Sequence, residues 1–371
     1  MARRRLATIC QHVSPSSTSS STTTTTTITS PSSSIIAKHF DSVNLTSAWE
    51  EFCNVDSWRQ RIEIVSLLRQ SPTGWHNYLQ CYRKKIAPFI CPEFYQALES
   101  PTALQQWRHI YSTTGELNIP FLRPSCLPHL SKYCDGIESK GKRRYGQPRP
   151  SYPPGEWANY DDSDPRKSIQ TEVNMTAVAS RHLNGADDDI LWIYHSPHLQ
   201  LFIEQALGTQ SLFPYLSDLG IAVNIMRPRP DAQTALGFHF DSVDSSTQKD
   251  KHSDIQQQKG VTGVIGLLDA NEGGERIVFQ NVHRENWKDV TTIVHKYDPL
   301  KPTQSLTERA VPKVEDKPTA GMLYLFDGGN VLHGVSSVRK GSRIALAFLY
   351  SEAPPSETSV SEASADFFYK N

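Results

Sequence analysis

The sequence contains no apolar run approaching the 18 or so residues that a membrane-crossing helix needs. None of its six cysteines, Cys10, Cys53, Cys81, Cys91, Cys126 and Cys134, forms a C-x-x-C pair, so a zinc ribbon or a redox motif is not indicated. Their scatter fits free thiols in a reducing compartment. Net charge is almost absent: 38 Lys and Arg against 39 Asp and Glu leave −1 over 371 residues. No global field therefore draws the chain to nucleic acid or to an anionic membrane. No internal repeat is evident, and no acidic residue precedes Asp41.

That last absence sets the first 40 residues apart. "MARRRLATICQHV" runs into "SPSSTSSSTTTTTTITSPSSS". Such a segment buries too little apolar surface to offset its chain entropy, so disorder is expected over 1–40. Arg-rich, Ser-rich and acid-poor is also the composition of organelle transit peptides, a low-complexity tail without an address being the other reading. A secretory signal is not indicated, because no apolar core follows the arginines. The expected setting is soluble and intracellular: plastid or mitochondrion if the segment is an address, otherwise cytoplasm.

Residues 41–210 read as a helical region. "TSAWEEF" has Ser47 and Glu50 at capping-box spacing, "DSWRQRIEIVSLLRQSP" has Asp56 as its N-cap, and "CPEFYQALES" has Pro92 in its first turn. "SPHLQLFIEQALG" offers Ser196 as cap, Pro197 at N1 and Gly208 as stop. Between them, about 135–170, "ESKGKRRYGQPRPSYPPGEW" reads as a long, basic, Pro-rich loop. From 211 to 352 short apolar or alternating runs recur: "IAVNIM", "ALGFHFD", "VTGVIGLLD", "RIVFQ", "VTTIVHKY", "GMLYLFD", "HGVSSV" and "RIALAFLY". Turn residues separate them, as in an antiparallel sandwich or barrel. The fold class expected is α+β: a jelly-roll, or double-stranded β-helix, core with the N-terminal helical region packed against it. The polar tail 353–371 is expected to fray.

Chemistry concentrates in three places. "GFHFDSVD" puts His239 two residues before Asp241, on one face if the segment is a strand. His333 begins the "HGVSSV" strand, and Arg343 follows ten residues later, on the next antiparallel strand by this reading. Two histidines and a carboxylate on one face suit non-haem iron and leave places for further ligands. A buried arginine suits a carboxylate, gripped bidentately. Each residue alone also reads as structural, a hydrogen-bonded surface pair or a satisfied core histidine. Asn224, in the strand before His239, faces a substrate or makes a strand-end hydrogen bond. Arg227 and Arg229 read as solvent-facing. "HSDIQQQKG", 252–260, reads as a polar loop near the site.

With "EGGERIVF" between them, the ordered set His239-x-Asp241, His333 and Arg343 resembles the Fe(II)/2-oxoglutarate-dependent dioxygenases over roughly 215–352. "VNIMRPRPDAQTALGFHFD" and "AGMLYLFDGGNVLHGVSSVRKGSRIALAFLYSE" resemble the branch that acts on free amino acids and their derivatives, with kainoid synthases as a specific match. The resemblance implies Fe(II) on His239, Asp241 and His333. It implies 2-oxoglutarate and O2 as co-substrates, Arg343 on the far 2-oxoglutarate carboxylate with Asn224 nearby, and ascorbate in support. The small-molecule substrate would be oxidised by hydroxylation or by oxidative ring closure, as in secondary metabolism. Asp241 stands where halogenases of this type have a small residue, which disfavours halogenation. Ala345 stands where many relatives have a serine.

Three other functions compete with this reading. Prolyl-type protein hydroxylases commonly have Lys in place of Arg343, although some use Arg. Nucleic-acid dealkylases have a second arginine six residues on, where this chain has Leu349. A jelly-roll binding protein without catalysis would not need the intact set of ligands.

Overall fold

The computed structural model describes residues 31–41, 44–154, 157, 160–183, 188–209, 212–214, 220–241, 260–315 and 319–351. In chain order its α-helices are α1 (Pro31–His39), α2 (Leu45–Cys53), α3 (Trp58–Leu68), α4 (Pro72–Ile86), α5 (Pro92–Glu99), α6 (Pro101–Thr114), α7 (Leu127–Ile137), α8 (Asp189–Tyr194), α9 (Pro197–Leu207) and α10 (Trp287–Lys296). The chain divides into two compact units, residues 1–88 with 184–199, and 89–183 with 200–371.

The first unit is helical. α2, α3 and α4 begin where a side chain satisfies an otherwise orphaned backbone N–H. Asn44 accepts from the Ser47 N–H, Ser57 from Gln60 and Ser71 from Gly74. The caps of α2 and α3 are thus Asn44 and Ser57, not the expected Ser47 and Asp56. Ser47 lies inside its helix, and at Ser57 the backbone is still extended. The core is aromatic: Phe40, Phe52, Tyr78, Tyr82 and Trp192 are all buried. Arg61 lies buried there too, its guanidinium carbon 4.5 Å from the Trp58 ring and 4.5 Å from the Trp192 ring. Desolvation of that charge is offset by cation–π contact and by a 2.7 Å hydrogen bond to the Cys53 carbonyl.

The second unit is built on a twelve-stranded sheet. Its strands are β1 (Glu116–Pro120), β2 (Lys142–Pro150), β3 (Gln170–Ala179), β4 (Phe213–Pro214), β5 (Ile221–Met226), β6 (Thr234–His239), β7 (Gly260–Leu268), β9 (Arg276–Phe279), β10 (Lys313–Val314), β11 (Met322–Phe326), β12 (Leu332–Ser336) and β14 (Arg343–Ser351). β8 (Glu272–Gly273) and β13 (Val338–Lys340) form a separate pair. Two antiparallel rows, β11-β7-β14-β5 and β6-β12-β9-β10, carry the architecture. Counted along the chain, their eight strands interleave as 6-3-8-1 and 2-7-4-5, which is a jelly roll. β3 links the rows by pairing with both β5 and β6.

Strand alternation sends one side chain in two inward. Phe238, Ile277, Phe279 and Leu332 point outward and bury the Val290, Ile293 and Val294 stripe of α10. His239, Arg276, His333 and Arg343 face an interior cavity. The end strands β1 and β10 are joined through side chains: Glu116 takes an ion pair from Arg276 and another from Lys313, each at 3.1 Å, and a hydrogen bond from Gln280 at 2.8 Å.

Several expectations are corrected. "VTTIVHKY" belongs to α10, not to a strand. Its Val290, Ile293 and Val294 recur at helical spacing, and burial of that face overrides β-branched propensity. Residues 142–150 are strand β2 instead of loop, and the helical region is interrupted by β1, β2 and β3. β2 tolerates Pro148 and Pro150 because, among the described residues, it pairs only with β3 and has no strand on its other edge. A bulge at Gly146, with φ +68° and its N–H on Asn174, keeps β2 in register. Residues 31–39, expected to be disordered, form α1. The expectations for residues 1–30, for 252–259 within "HSDIQQQKG" and for the tail 353–371 lie outside the described residues. Among those described, no helix is long and apolar enough to cross a membrane, and Cys53, Cys81, Cys91, Cys126 and Cys134 are free thiols.

Candidate metal centre

β6 ends on His239, and the chain turns out at Asp241, so both side chains reach the same end of the barrel. β12 pairs antiparallel with β6, with His333 directly opposite His239. The ring centroids are 4.2 Å apart. One ligand atom from each of His239, Asp241 and His333 lies within 4.8 Å of the others. That spread suits three donors around one ion at about 2 Å each. His239 Nε2 is 3.3 Å from Asp241 Oδ1, and His333 Nε2 is 3.6 Å from Asp241 Oδ2.

The donor chemistry fits a divalent ion. Each histidine directs Nδ1 at a backbone carbonyl, His239 at Gly237 (2.7 Å) and His333 at Val331 (2.9 Å). Nδ1–H therefore donates there, which leaves the Nε2 lone pair for the site. Burial, more than any other influence, keeps both rings neutral: it lowers His333, and it pushes His239 down to about 3 with help from Arg149. Burial works to raise Asp241, but attraction to whatever charge the two histidines carry and the hydrogen bond from the Thr262 hydroxyl leave its carboxyl far below the usual range. Thr262 donates to Oδ2 at 2.7 Å, and the Asp241 N–H donates to the Gly328 carbonyl at 2.9 Å. Gly328 is required by close approach. A Cβ there would sit 2.1 Å from Asp241 Oδ2 and 2.5 Å from Thr262 Oγ1.

Arg343 lies in the same cavity, on β14. β14 pairs with β5 and β7 and not with β12, so Arg343 is not on the strand next to His333, as expected, but in the other row. Its residue exposure is 4%, and the one hydrogen-bond partner among described residues is the Met226 sulfur at 3.7 Å. Its Nε is buried without a hydrogen-bond partner among the described residues. Burial lowers its pKa, against the pull of the more distant Glu315 and Asp269. A buried guanidinium so poorly satisfied could hold an anion. Asn224 and Ala345, directly opposite each other on β5 and β14, also line the cavity.

Sequence reasoning missed four contributors. Thr262, Arg149 and Arg276 line the cavity, and Gly328 admits the carboxylate. Thr262 carried a readable signal: in "VTGVIGLLD" it is the polar residue on one face of a strand. Arg149 was hidden because its strand looked like a loop. Arg227 and Arg229 are held in surface ion pairs, with Asp135 and Glu138 and with Asp231 respectively.

No family model matches the sequence, and no curated protein matches it. Solved structures do. The α-ketoglutarate-dependent epimerase SnoN of nogalamycin biosynthesis aligns over 71% of this chain and 87% of its own, at 13% identity and TM-score 0.44. The carbocyclase SnoK of the same biosynthesis aligns over 67% and 84%, at 14% identity and TM-score 0.42. HygX from Streptomyces hygroscopicus, solved with nickel, 2-oxoglutarate and hygromycin B, aligns over 67% and 86%, at 12% identity and TM-score 0.40. The chemistry assigned below stands on the geometry of this chain.

Proposed function

We propose that the protein is an Fe(II)- and 2-oxoglutarate-dependent oxygenase that oxidises a C–H bond of a small amino-acid-type molecule. One observation carries the reading. Two neutral imidazoles and an ionised carboxylate converge within 4.8 Å in the cavity that also holds the buried, scarcely bonded Arg343. His239, Asp241 and His333 would hold Fe(II), and Arg343 would take the far carboxylate of 2-oxoglutarate. Bound iron with its co-substrate supplies the oxidising power, 2-oxoglutarate and O2 becoming succinate and CO2 while one oxygen equivalent oxidises the substrate.

The chain's own residues do the rest. The carbonyls of Gly237 and Val331 fix the two imidazole tautomers. Thr262 aims the Asp241 carboxylate. Ala222, Met226, Leu236, Val264 and Phe326 wall the cavity with apolar surface, which excludes water from the reacting centre. Arg149, 6% exposed at the end of β2, brings a further cation into the cavity beside Arg343 and Arg276, and its charge is felt at both histidines. A substrate carboxylate would suit it, which favours an amino-acid derivative. Hydroxylation and oxidative ring closure of the kainoid type both begin from such a substrate. Incubation with Fe(II), ascorbate, 2-oxoglutarate and a panel of amino acids and N-alkylated amino acids tests the reading. Succinate release that one substrate stimulates, with matched product mass, is expected. No iron-dependent succinate with any substrate would overturn it.

A further inference from the structure

Arg276 opens β9, directly opposite Val335 and two residues from Val278, which pairs with His333. It therefore shares the interior face with the metal-ligand candidates. Its guanidinium plane is fixed on three sides. Nη2 pairs with Glu116 at 3.1 Å, and the rings of Tyr324 and Phe326 lie 4.7 and 5.0 Å from its central carbon. Nη1 is buried and has no partner among the described residues, although the side chain borders the cavity. An unsatisfied cationic N–H in a buried place carries a desolvation cost, and such a group calls for an acceptor. The Arg276 charge is felt both at His333 and at Arg343. Those two residues mark the ends between which a dicarboxylate would stretch.

Glu315 stands behind this arginine. Its N–H donates to the Arg276 carbonyl at 2.9 Å, so its backbone is pinned. Its carboxylate is nearly buried, and Oε2 lies 3.7 Å from Arg276 Nε, too far for a hydrogen bond and without another partner among the described residues. Burial pushes this carboxyl up to about 7. Arg276 and Arg343 pull against that shift, while Glu116 and Asp269 add to it. The other charged groups nearby are Lys313, which is paired with Glu116, and Glu275, whose charge is felt at Arg343.

We infer that Arg276 is a second anchor for the co-substrate beside Arg343, and that Glu315 is the counter-ion neutralised when the dianion arrives. The inference rests on the reading of the site as 2-oxoglutarate-dependent. Without 2-oxoglutarate, the Arg276 and Arg343 guanidinium groups favour the ionised Glu315. A dianion shared between them competes for the same charges and favours the protonated acid, so a proton enters with 2-oxoglutarate above neutral pH. Affinity for 2-oxoglutarate then falls as pH rises through 7. If only protonated Glu315 permits full binding, the dissociation constant at pH 8 is about tenfold above its acid limit, since about nine-tenths of Glu315 is then ionised.

The test is anaerobic calorimetry of 2-oxoglutarate into the Fe(II)-loaded protein, from pH 6 to 8.5, in two buffers of different ionisation enthalpy. Wild type should weaken about tenfold between pH 6 and 8 and take up a proton at pH 8. Glu315→Gln should bind about tenfold more tightly than wild type at pH 8, with no pH dependence and no proton uptake. Arg276→Gln should lose at least roughly tenfold in 2-oxoglutarate affinity while Fe(II) affinity stays within a few-fold, and Arg276→Lys should recover part of the loss. Should Arg276→Gln not fold because Glu116 is left unpaired, the Glu315→Gln arm decides alone. Wild-type affinity and proton uptake in Glu315→Gln, or an unchanged dissociation constant in folded Arg276→Gln, would overturn the inference and leave the oxygenase reading intact. No binding of 2-oxoglutarate to iron-loaded wild type would overturn both.

Discussion

Arg343→Leu removes the most poorly satisfied buried charge in the cavity and separates two effects that are usually confounded. In the ligand-free protein Arg343 is 4% exposed, and its hydrogen bonding among the described residues is confined to a sulfur at 3.7 Å. Its burial is compensated by no contact ion pair among the described residues, so a leucine of smaller volume exchanges a desolvation cost for a modest packing loss. The melting temperature of the metal-free variant should stay within a few degrees of wild type or rise. In the presence of 2-oxoglutarate the order reverses. A charge-assisted bond to a carboxylate contributes about 1.5–3 kcal/mol, so the dissociation constant should rise roughly tenfold to 150-fold. Arg343→Lys should fall between, because an ammonium cannot reproduce the planar fork. Calorimetry of 2-oxoglutarate into the three iron-loaded proteins, with melting curves of the metal-free forms, measures both sides. Equal dissociation constants would show that the anchor lies elsewhere. A melting temperature lowered by ten degrees or more would show that Arg343 is a structural residue.

Gly328→Ala places a methyl group 2.1 Å from Asp241 Oδ2, so Fe(II) affinity should fall at least roughly tenfold with far-UV circular dichroism unchanged. Wild-type metal binding in that variant would show that the carboxylate can move without cost. Asp241→Gly should abolish 2-oxoglutarate turnover while weak metal binding by His239 and His333 persists; unchanged succinate release would remove Asp241 from the site. The metal-free protein should lose stability as pH falls from 7.5 to 5.5. His195, His198 and His239 are held by burial at about 3, well below the ordinary 6.5, so the unfolded chain binds more protons across this window and stability drains away on acidification. Glu315, raised to about 7, works in the opposite direction but is one group against these three and His333, which burial also lowers. Denaturant midpoints at the two pH values decide the matter, and an equal or higher midpoint at pH 5.5 would refute it.

The parts of this fold that were legible in the sequence are those where period and burial agree. His239 and Asp241 could be placed on one side because strand alternation requires it, and His333 followed from the need for a third donor on a later strand. β5, β6, β7, β9, β11, β12 and β14 all fall on runs of alternating or apolar residues bounded by turns. The Val290–Tyr297 segment was misread because β-branched residues favour strands locally, whereas here the i, i+3, i+4 stripe meets an apolar sheet face. β2 was unreadable because its prolines and basic residues are tolerated only on an edge, and edge position is a tertiary fact. Arg149 went unrecognised for the same reason. The clasp of Arg276 by Glu116 joins residues 160 apart, and nothing local announces it.

Anaerobic optical titration addresses the central claim most directly. Fe(II) and then 2-oxoglutarate are added to the wild-type protein and to His239→Ala and His333→Ala, and the visible iron–keto-acid absorption band is followed. The expected result is a band in wild type that saturates at one equivalent of iron, and that is lost in both variants while their folds persist. A folded wild-type protein that binds iron yet develops no band, or variants whose band matches wild type, would contradict it.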